Sequence, residues 1–284
     1  MNIGIVGLGL IGGSLGRVIS ARTENKVYAY DLSNTAMQDG KLLNAYQCEL
    51  KKEDISRLDV LFLSLYPKAL EENLEYYVQN LKDGAIVADC CGGKRKVVSK
   101  MQELAKKYPN VNFISSHPMA GREFSGVKHS TVGLFDKASM ILINVNANLD
   151  VLEFFKKFCL SLGFGSVVIT TWEEHDRIIA YTSQLAHLVS SSYIKSPTAQ
   201  NYLGFSAGSF RDMTRVARLS PQMWSELMME NSENLISEIN YLIENLNKYK
   251  LALESGDNQE LRNLLQDGND KKLNAEKLKN RRGL

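Results

Sequence analysis

A run of glycines near the amino terminus has the spacing of a loop that binds phosphate groups. It follows a short apolar stretch and precedes a segment with helical character. The first glycine of such a turn allows a tight bend, the second lets a pyrophosphate approach the backbone, and the third lets helix and strand pack closely. Amide groups at the start of the helix then face the phosphates. The sequence therefore predicts a dinucleotide site formed by Gly7, Leu8, Gly9, Leu10, Ile11 and Gly12.

An acidic residue follows at the distance expected for a contact to the ribose. Asp31 ends the second apolar stretch, about 20 residues after Gly12. A carboxylate there accepts a hydrogen bond from the ribose 2′-hydroxyl and repels a 2′-phosphate. No arginine stands in the next three positions to bind such a phosphate, so NAD rather than NADP is the predicted cofactor. A capping role for Asp31 at the next helix is an alternative that is compatible with the first. We assign Ser64 and Leu65, at the end of another predicted strand, to the same cofactor site.

Four histidines are candidates for the group that takes a proton as hydride leaves an alcohol. His117 lies just past the predicted end of a strand, where ligands bind in open α/β sheets, and it is the predicted general base. The alternative for His117 is a surface-loop histidine. His129 lies in a polar loop, and His175 at a helix start is predicted to be structural. His187 lies on an apolar helix face and is predicted either as a hydrogen-bonded core residue or as a substrate contact.

Three arginines share one face of a predicted helix and could bind an anionic substrate. They are Arg211, Arg215 and Arg218. Phe210 and Met213 beside them favour partial burial over a solvated face, and a partly buried arginine binds a carboxylate with two hydrogen bonds. No C-x-x-C motif, HEXXH motif or paired-carboxylate site is present, so no metal site is predicted.

The elements that must position these residues form two regions. Seven short apolar stretches alternate with helical segments, at 2–7, 26–31, 60–65, 85–89, 111–115, 139–144 and 166–170. This alternation predicts a parallel sheet covered by helices, whereas no strand is predicted beyond Thr170. We predict an α/β fold, with a Rossmann-type, mostly parallel sheet domain over residues 1–170 and an all-helical dimerisation domain over residues 171–284.

One apolar stripe runs from Trp224 to Leu253 with a residue every three or four positions. Its period predicts a single helix of roughly 30 residues, about 45 Å long. A stripe of that length exceeds what a small domain can cover. We therefore expect it to pack against other helices, including those of a second subunit in a homodimer.

The bulk composition excludes several classes of partner. The 284 residues carry a net charge of +2, which gives no electrostatic case for nucleic acid. The four cysteines lack paired spacing and are predicted to be free thiols in a reducing compartment. With no signal-peptide layout and no run of about 18 apolar residues, a soluble cytoplasmic protein without a membrane partner is expected.

Nearly the whole chain resembles the prephenate dehydrogenase (cyclohexadienyl dehydrogenase) family of tyrosine biosynthesis. The blocks His117–Gly121 and Phe210–Asp212 are the specific similarities. The other markers are the glycine turn with Asp31, the strand end Asp89–Lys94, Ser125–Gly126, His175–Arg177, Gln184–His187 and Met223–Trp224.

The resemblance implies NAD-dependent oxidation of prephenate to 4-hydroxyphenylpyruvate with loss of CO2. It implies that His117 is the base at the ring hydroxyl, Arg211 the main carboxylate anchor, and His187 part of the substrate pocket. It also implies a helical second domain that dimerises. Three alternatives stay open: arogenate dehydrogenase, another two-domain NAD oxidoreductase with a catalytic lysine such as Lys195, and a catalytically silent NAD-binding dimer.

The chain departs from the family pattern near the implied base. Many members carry a serine that hydrogen-bonds the catalytic histidine, in the segment that matches Cys90–Gly93 here. This chain has glycine at about that place, and Ser115 or Ser116 is the expected substitute. Arg122 replaces a residue that is commonly small and is expected to add a cation at the pocket mouth.

Overall fold

The structure, a computed structural model, describes residues 1–122 and 124–281. Contacts divide the chain into two compact units, Met1–Asn231 and Ser232–Leu284. The helices between residue 171 and Asn231 belong to the first unit, and the predicted domain boundary at residue 170 stays a prediction. The last residues of the predicted second domain, 282–284, lie outside the described residues.

The described residues contain one sheet of eight strands. They are β1 (Asn2–Val6), β2 (Lys26–Tyr30), β3 (Cys48–Glu49), β4 (Val60–Leu63), β5 (Ile86–Asp89), β6 (Asn112–Pro118), β7 (Ser139–Asn144) and β8 (Ser166–Ile169). Their order across the sheet is β3-β2-β1-β4-β5-β6-β7-β8. Every neighbouring pair is parallel except β6 with β7. The predicted mostly parallel sheet is therefore confirmed. The two-residue β3 was not predicted, because so short a strand leaves no periodic signal.

Helices cover both faces of the sheet, which explains why the central strands are apolar along their whole length. They are α1 (Leu10–Arg22), α2 (Asn34–Leu42), α3 (Pro67–Val78), α4 (Arg95–Lys107) and α5 (Leu149–Ser161). Side chains alternate along β4, so Val60 and Phe62 belong to one core and Leu61 and Leu63 to the other. Phe62 packs against Phe155 of α5, with ring centroids 5.8 Å apart.

Beyond the sheet the first unit continues as helices. They are α6 (Trp172–Ile179), a π-helical segment (Ala180–Leu185), α7 (Ala186–Tyr193), α8 (Gly208–Thr214) and α9 (Pro221–Glu230). Short 3₁₀ turns lie at Lys52–Arg57, Val127–His129 and Pro197–Asn201. A π-helical turn shifts the register of the side chains that follow it and is frequent at functional sites.

The predicted single helix of about 30 residues is wrong. The stripe is divided between α9 and α10 (Ser232–Glu254), and the break falls at Asn231. The Asn231 side chain is buried and donates to the carbonyl oxygen of Asp176 at 2.8 Å and to Oε1 of Gln184 at 2.9 Å. Asn231 occupies one of the regularly spaced positions of the stripe, so the spacing of apolar residues before and after it does not indicate that the helix ends there.

The second unit contains α10 and α11 (Asn258–Arg281). Gly256, with φ of +68°, allows the turn between them, and the hydroxyl of Tyr249 donates to the carbonyl oxygen of Leu264 at 3.1 Å. Several large apolar side chains of α10 are exposed: Ile236, Tyr241, Ile243, Leu246, Leu251 and Leu253. Among the described residues, no helix combines the length and the apolar character needed to cross a bilayer.

Candidate active site

A cavity of about 1830 Å³ lies at the carboxyl ends of β1, β4 and β5 in the first unit. After β1 the chain continues to β2 on one side of the sheet, and after β4 it continues to β5 on the other side. The carboxyl ends of β1 and β4 therefore form the switch point where ligands bind in such folds. Single small-molecule pockets usually measure about 300–1,000 Å³. The cavity therefore has room for a dinucleotide and a second ligand together.

The glycine turn fits a dinucleotide because a side chain at two of its positions would collide with backbone. Gly7 has φ of +91°, and a Cβ atom there would lie 2.4 Å from the carbonyl oxygen of Ser64. A Cβ atom on Gly12 would lie 1.9 Å from the carbonyl oxygen of Gly7. Gly9, which caps α1, has open space on the side where a Cβ atom would lie. The turn therefore brings bare backbone and the start of α1 to the cavity.

Asp31 stands at the carboxyl end of β2 and lines the cavity. One carboxylate oxygen accepts the Leu8 N–H at 2.6 Å and the other accepts the Ser33 N–H at 2.8 Å. Each oxygen has a further acceptor position, so the carboxylate can also accept from a ribose hydroxyl. The alternative role of Asp31 as the cap of the next helix is not observed, because the side chain that caps α2 is that of Ser33.

Most of the residues predicted to bind the cofactor line the cavity. They are Gly7, Gly9, Leu10, Ile11, Asp31, Ser64 and Leu65. Leu8 is buried and reaches the site through its N–H bond to Asp31. Gly12 is also buried and acts through close packing against Gly7.

His117 lies within β6 and lines the cavity. The prediction that it follows the strand end is wrong, because β7 pairs antiparallel with β6 and extends the ladder through His117, opposite Ile141, to Pro118. The ring is therefore held by a sheet strand rather than by a loop. Burial, followed by the positive charge of Lys94 and by His175, lowers the pKa of His117 well below its usual value. His117 is accordingly neutral at physiological pH, which is the state a base requires.

His175 contacts His117 directly. Nδ1 of His117 and Nε2 of His175 are 2.9 Å apart, and Nδ1 of His175 lies 2.7 Å from Oδ1 of Asp176. Burial lowers the pKa of His175 more than the hydrogen bond to Asp176 raises it. The predicted structural role of His175 is therefore incomplete, since the ring also touches the candidate base.

A buried ion pair lies beneath the site. Nζ of Lys94 is 2.6 Å from Oδ2 of Asp89, and both side chains are fully buried. Asp89 also accepts the hydroxyl of Ser115, and its carbonyl oxygen accepts the hydroxyl of Ser116. The expectation that one of these serines orients His117 is wrong, because among the described residues Nδ1 of His117 contacts Nε2 of His175 instead.

The opposite wall of the cavity comes from the helices that follow the sheet. Nδ1 of His187 donates to the carbonyl oxygen of Ser183 in the π-helical segment, at 2.8 Å, which leaves Nε2 as an acceptor. Its ring packs on Trp224, with centroids 4.0 Å apart. Arg215 and Arg218 also line the cavity.

Arg211, the arginine expected to be the main anchor, is not among the residues that line the cavity. The reason is local. Helix α8 ends at Thr214, and it is the chain leaving the helix, from Arg215 to Ser220, that forms the wall. All three arginines of the predicted helical face are exposed, so their predicted partial burial is wrong. Arg122 lines the cavity as an exposed side chain, as expected of a cation at its mouth.

The chemistry available here is acid–base chemistry. Cys90 also lines the cavity, but burial raises the pKa of its thiol to about 12, so it is not a thiolate at neutral pH.

The sequence did not predict the contact of His175 with His117, the packing of Trp224 on His187 or the burial of Lys94. His175, Trp224 and Lys94 all lie in segments that carry the family resemblance, which was the only signal for them.

A dinucleotide cradle that opens into the same cavity as His117 is typical of an oxidoreductase of the NAD-binding type. Residues 15–168 match the family model described as prephenate dehydrogenase, nucleotide-binding domain, and residues 171–267 match the one described as prephenate dehydrogenase, dimerization domain. The chain belongs to the prephenate dehydrogenase family. The match confirms both the resemblance and the predicted nucleotide-binding domain.

Individual relatives agree with this assignment. The cyclohexadienyl dehydrogenase of Zymomonas mobilis is 28% identical over 266 residues, which are 90% of this chain and 89% of the relative. A prephenate dehydrogenase from A. aeolicus, solved with hydroxyphenyl propionate and NAD+, has a TM-score of 0.84 at 24% identity and covers 97% of this chain and 98% of its own. Synechocystis arogenate dehydrogenase has a TM-score of 0.81 at 22% identity, with 97% and 100% covered. The two structures establish the shared fold.

Proposed function

We propose that the protein oxidises prephenate to 4-hydroxyphenylpyruvate and CO2 with NAD+ as the acceptor. The observation that carries this proposal is that His117 lines the same cavity as the glycine turn, Asp31 and Arg215. When bound, NAD+ accepts the hydride that leaves the carbon bearing the ring hydroxyl. The solved relative from A. aeolicus binds NAD+ and hydroxyphenyl propionate, which supports a cofactor and an aromatic acid sharing one cavity.

His117 takes the proton of the ring hydroxyl as the hydride departs. The C–H electron pair leaves with the hydride, and the O–H electron pair becomes the second bond of a carbonyl group. The ring carboxylate then leaves as CO2, and its electron pair makes the ring aromatic. The proton held by His117 returns to the ring oxygen, so the base is regenerated and the atoms balance.

Arg215 is the proposed anchor for a substrate carboxylate. It lines the cavity whereas Arg211, one helical turn earlier, does not, and a guanidinium can hold a carboxylate with two parallel hydrogen bonds. His187, packed on Trp224, presents Nε2 as a further polar contact. These groups orient the substrate, and orientation accounts for much of the catalysis when aromatisation drives the reaction.

Turnover of prephenate and of arogenate, each with NAD+, tests the substrate. The two differ in a keto group against an amine, away from the ring that reacts. Faster NADH formation from prephenate is expected. Faster turnover of arogenate would show that prephenate is the wrong substrate. Arogenate is the alternative because the Synechocystis neighbour is an arogenate dehydrogenase. NAD+ binding without turnover of either compound would indicate a silent binding module.

The protein is also proposed to act as a homodimer through its carboxyl-terminal helices. The exposed apolar side chains of α10 are a surface that water disfavours, and the matched second family model is described as a dimerization domain. Light scattering coupled to gel filtration should give twice the mass of one chain. A monomer at micromolar concentration would contradict the dimer and leave the proposed reaction intact.

A further inference from the structure

Two histidine rings meet at the edge of the cavity, and of the two only His117 lines it. His117 is half-buried and lines the cavity. His175 is buried and is not among the lining residues, although its Nε2 is 2.9 Å from Nδ1 of His117. His175 therefore contacts the base rather than the substrate.

Asp176 determines which of the two histidines donates the hydrogen bond between them. Its carboxylate lies 2.7 Å from Nδ1 of His175 and accepts the backbone N–H groups of Lys94 and Arg95, each at 3.0 Å. A carboxylate bonded in this way acts as an acceptor, so the hydrogen of neutral His175 is on Nδ1 and its Nε2 is free to accept. That acceptor holds the hydrogen of His117 on Nδ1. Nε2 of His117 is then bare, as a base requires.

Gly92 is the glycine closest to His117 in the segment Cys90–Gly93, where the family resemblance implies a serine in many members. A Cβ atom on Gly92 would lie 3.9 Å from Cε1 of His117 and 3.4 Å from Cδ2 of Leu227, both ordinary contact distances. Position 92 therefore faces the candidate base, and a Cβ atom fits there without collision.

We propose that His175, held by Asp176, is the positioning residue for His117. This rests on the proposed function, in which His117 is the base. When Nε2 of His117 receives the substrate proton, the positive ring donates from Nδ1 to His175, and Asp176 stabilises the charge through the shared hydrogen bonds. Lys94, which forms a buried ion pair with Asp89, also lies next to the two histidines, and its positive charge opposes protonation of His117.

Nitrogen NMR of histidine-labelled protein tests the geometry without substrate. The chain has four histidines, so the His117 signals can be assigned with a His117→Asn variant. The hydrogen of His117 should be on Nδ1 in the unaltered protein, and both tautomers should be populated in His175→Ala. A hydrogen found mainly on Nε2 of His117, or an unchanged tautomer in His175→Ala, would overturn the proposal.

Kinetics test the consequence. His175→Ala should lower kcat at least about tenfold, a part of the roughly 10²–10⁴-fold that a general base supplies, with little change in either KM. His175→Gln, whose amide oxygen can accept from Nδ1, should recover part of the loss. Adding Gly92→Ser to His175→Ala should also recover it, because the serine oxygen then reaches the same ring. Neither substitution would restore activity lost through misfolding.

Glu174→Gln is the matched control. Glu174 is the exposed neighbour of His175 in the first turn of α6 and pairs with Arg177 at 2.8 Å, so kcat should be unchanged. A His175→Ala defect confined to KM would refute a positioning role. A loss of kcat that is recovered neither by His175→Gln nor by the added Gly92→Ser would refute it as well. If the unaltered protein oxidises neither prephenate nor arogenate, the proposed function fails, while the NMR result still decides the positioning of His117.

Discussion

Replacing Lys94 with methionine should strongly destabilise the first unit, because it leaves a buried carboxylate without its cation. Nζ of Lys94 lies 2.6 Å from Oδ2 of Asp89 and 2.6 Å from the carbonyl oxygen of Ser116. Both side chains of the ion pair are fully buried. Methionine keeps most of the apolar volume and provides neither hydrogen bond. Removing one partner of a buried pair costs about 3–5 kcal/mol, against a total stability of roughly 5–15 kcal/mol.

Urea unfolding followed by circular dichroism measures this loss as a change in the free energy of unfolding. Lys100→Met is the matched control: Lys100 lies on α4 and pairs at 2.9 Å with Glu103, whose side chain is exposed, so less than about 1 kcal/mol should be lost. Combining Lys94→Met with Asp89→Asn removes the unpaired charge and should recover part of the stability. A Lys94→Met protein within about 1 kcal/mol of the original would refute the reasoning, since removal of one partner of a buried pair is expected to cost several times that.

Three further predictions concern the cofactor, the substrate and pH. Asp31→Asn should reduce the preference for NAD+ over NADP+, measured as the ratio of kcat/KM values, because the charge that repels a 2′-phosphate is removed; an unaltered ratio would contradict the role given to Asp31. Arg215→Ala should raise KM for the substrate roughly 10–100-fold, as expected for hydrogen bonds to a charged group, whereas Arg211→Ala should change it little; the reverse order would return the anchor to Arg211. Lowered pKa values of His117 and His175 mean that the unfolded chain binds more protons than the native protein below about pH 6.5, so the free energy of unfolding should fall as pH decreases from there. A His117→Asn variant should show a shallower fall in urea titrations, and an identical slope would count against the lowered pKa.

The features that could be predicted from the sequence are those built by neighbours in the chain. The glycine turn and Asp31 follow from local spacing, because a strand, a tight turn and a helix succeed one another within about 30 residues. The strands that are buried on both faces are continuous apolar runs, which made the parallel sheet predictable.

The features that could not be predicted depend on pairs that are distant in sequence. His117 and His175 are 58 positions apart, and no period in either segment indicates that the rings meet. Asn231 breaks a helix through bonds to Asp176 and Gln184, whereas its position in the apolar stripe indicated continuity. The spacing of Arg211 and Arg215 predicts that they share one helical face. Helix α8 ends at Thr214, so Arg215 lies beyond it and lines the cavity whereas Arg211 does not.

The proposed reaction requires His117 to take the substrate proton while hydride passes to NAD+. The most direct measurement is the kcat for NAD+-dependent prephenate oxidation by His117→Ala, together with the dissociation constant for NAD+. A kcat lowered by about 10²-fold or more with unchanged NAD+ binding is predicted, because the base is lost and the cofactor turn is untouched. A kcat close to that of the unaltered protein would contradict the account.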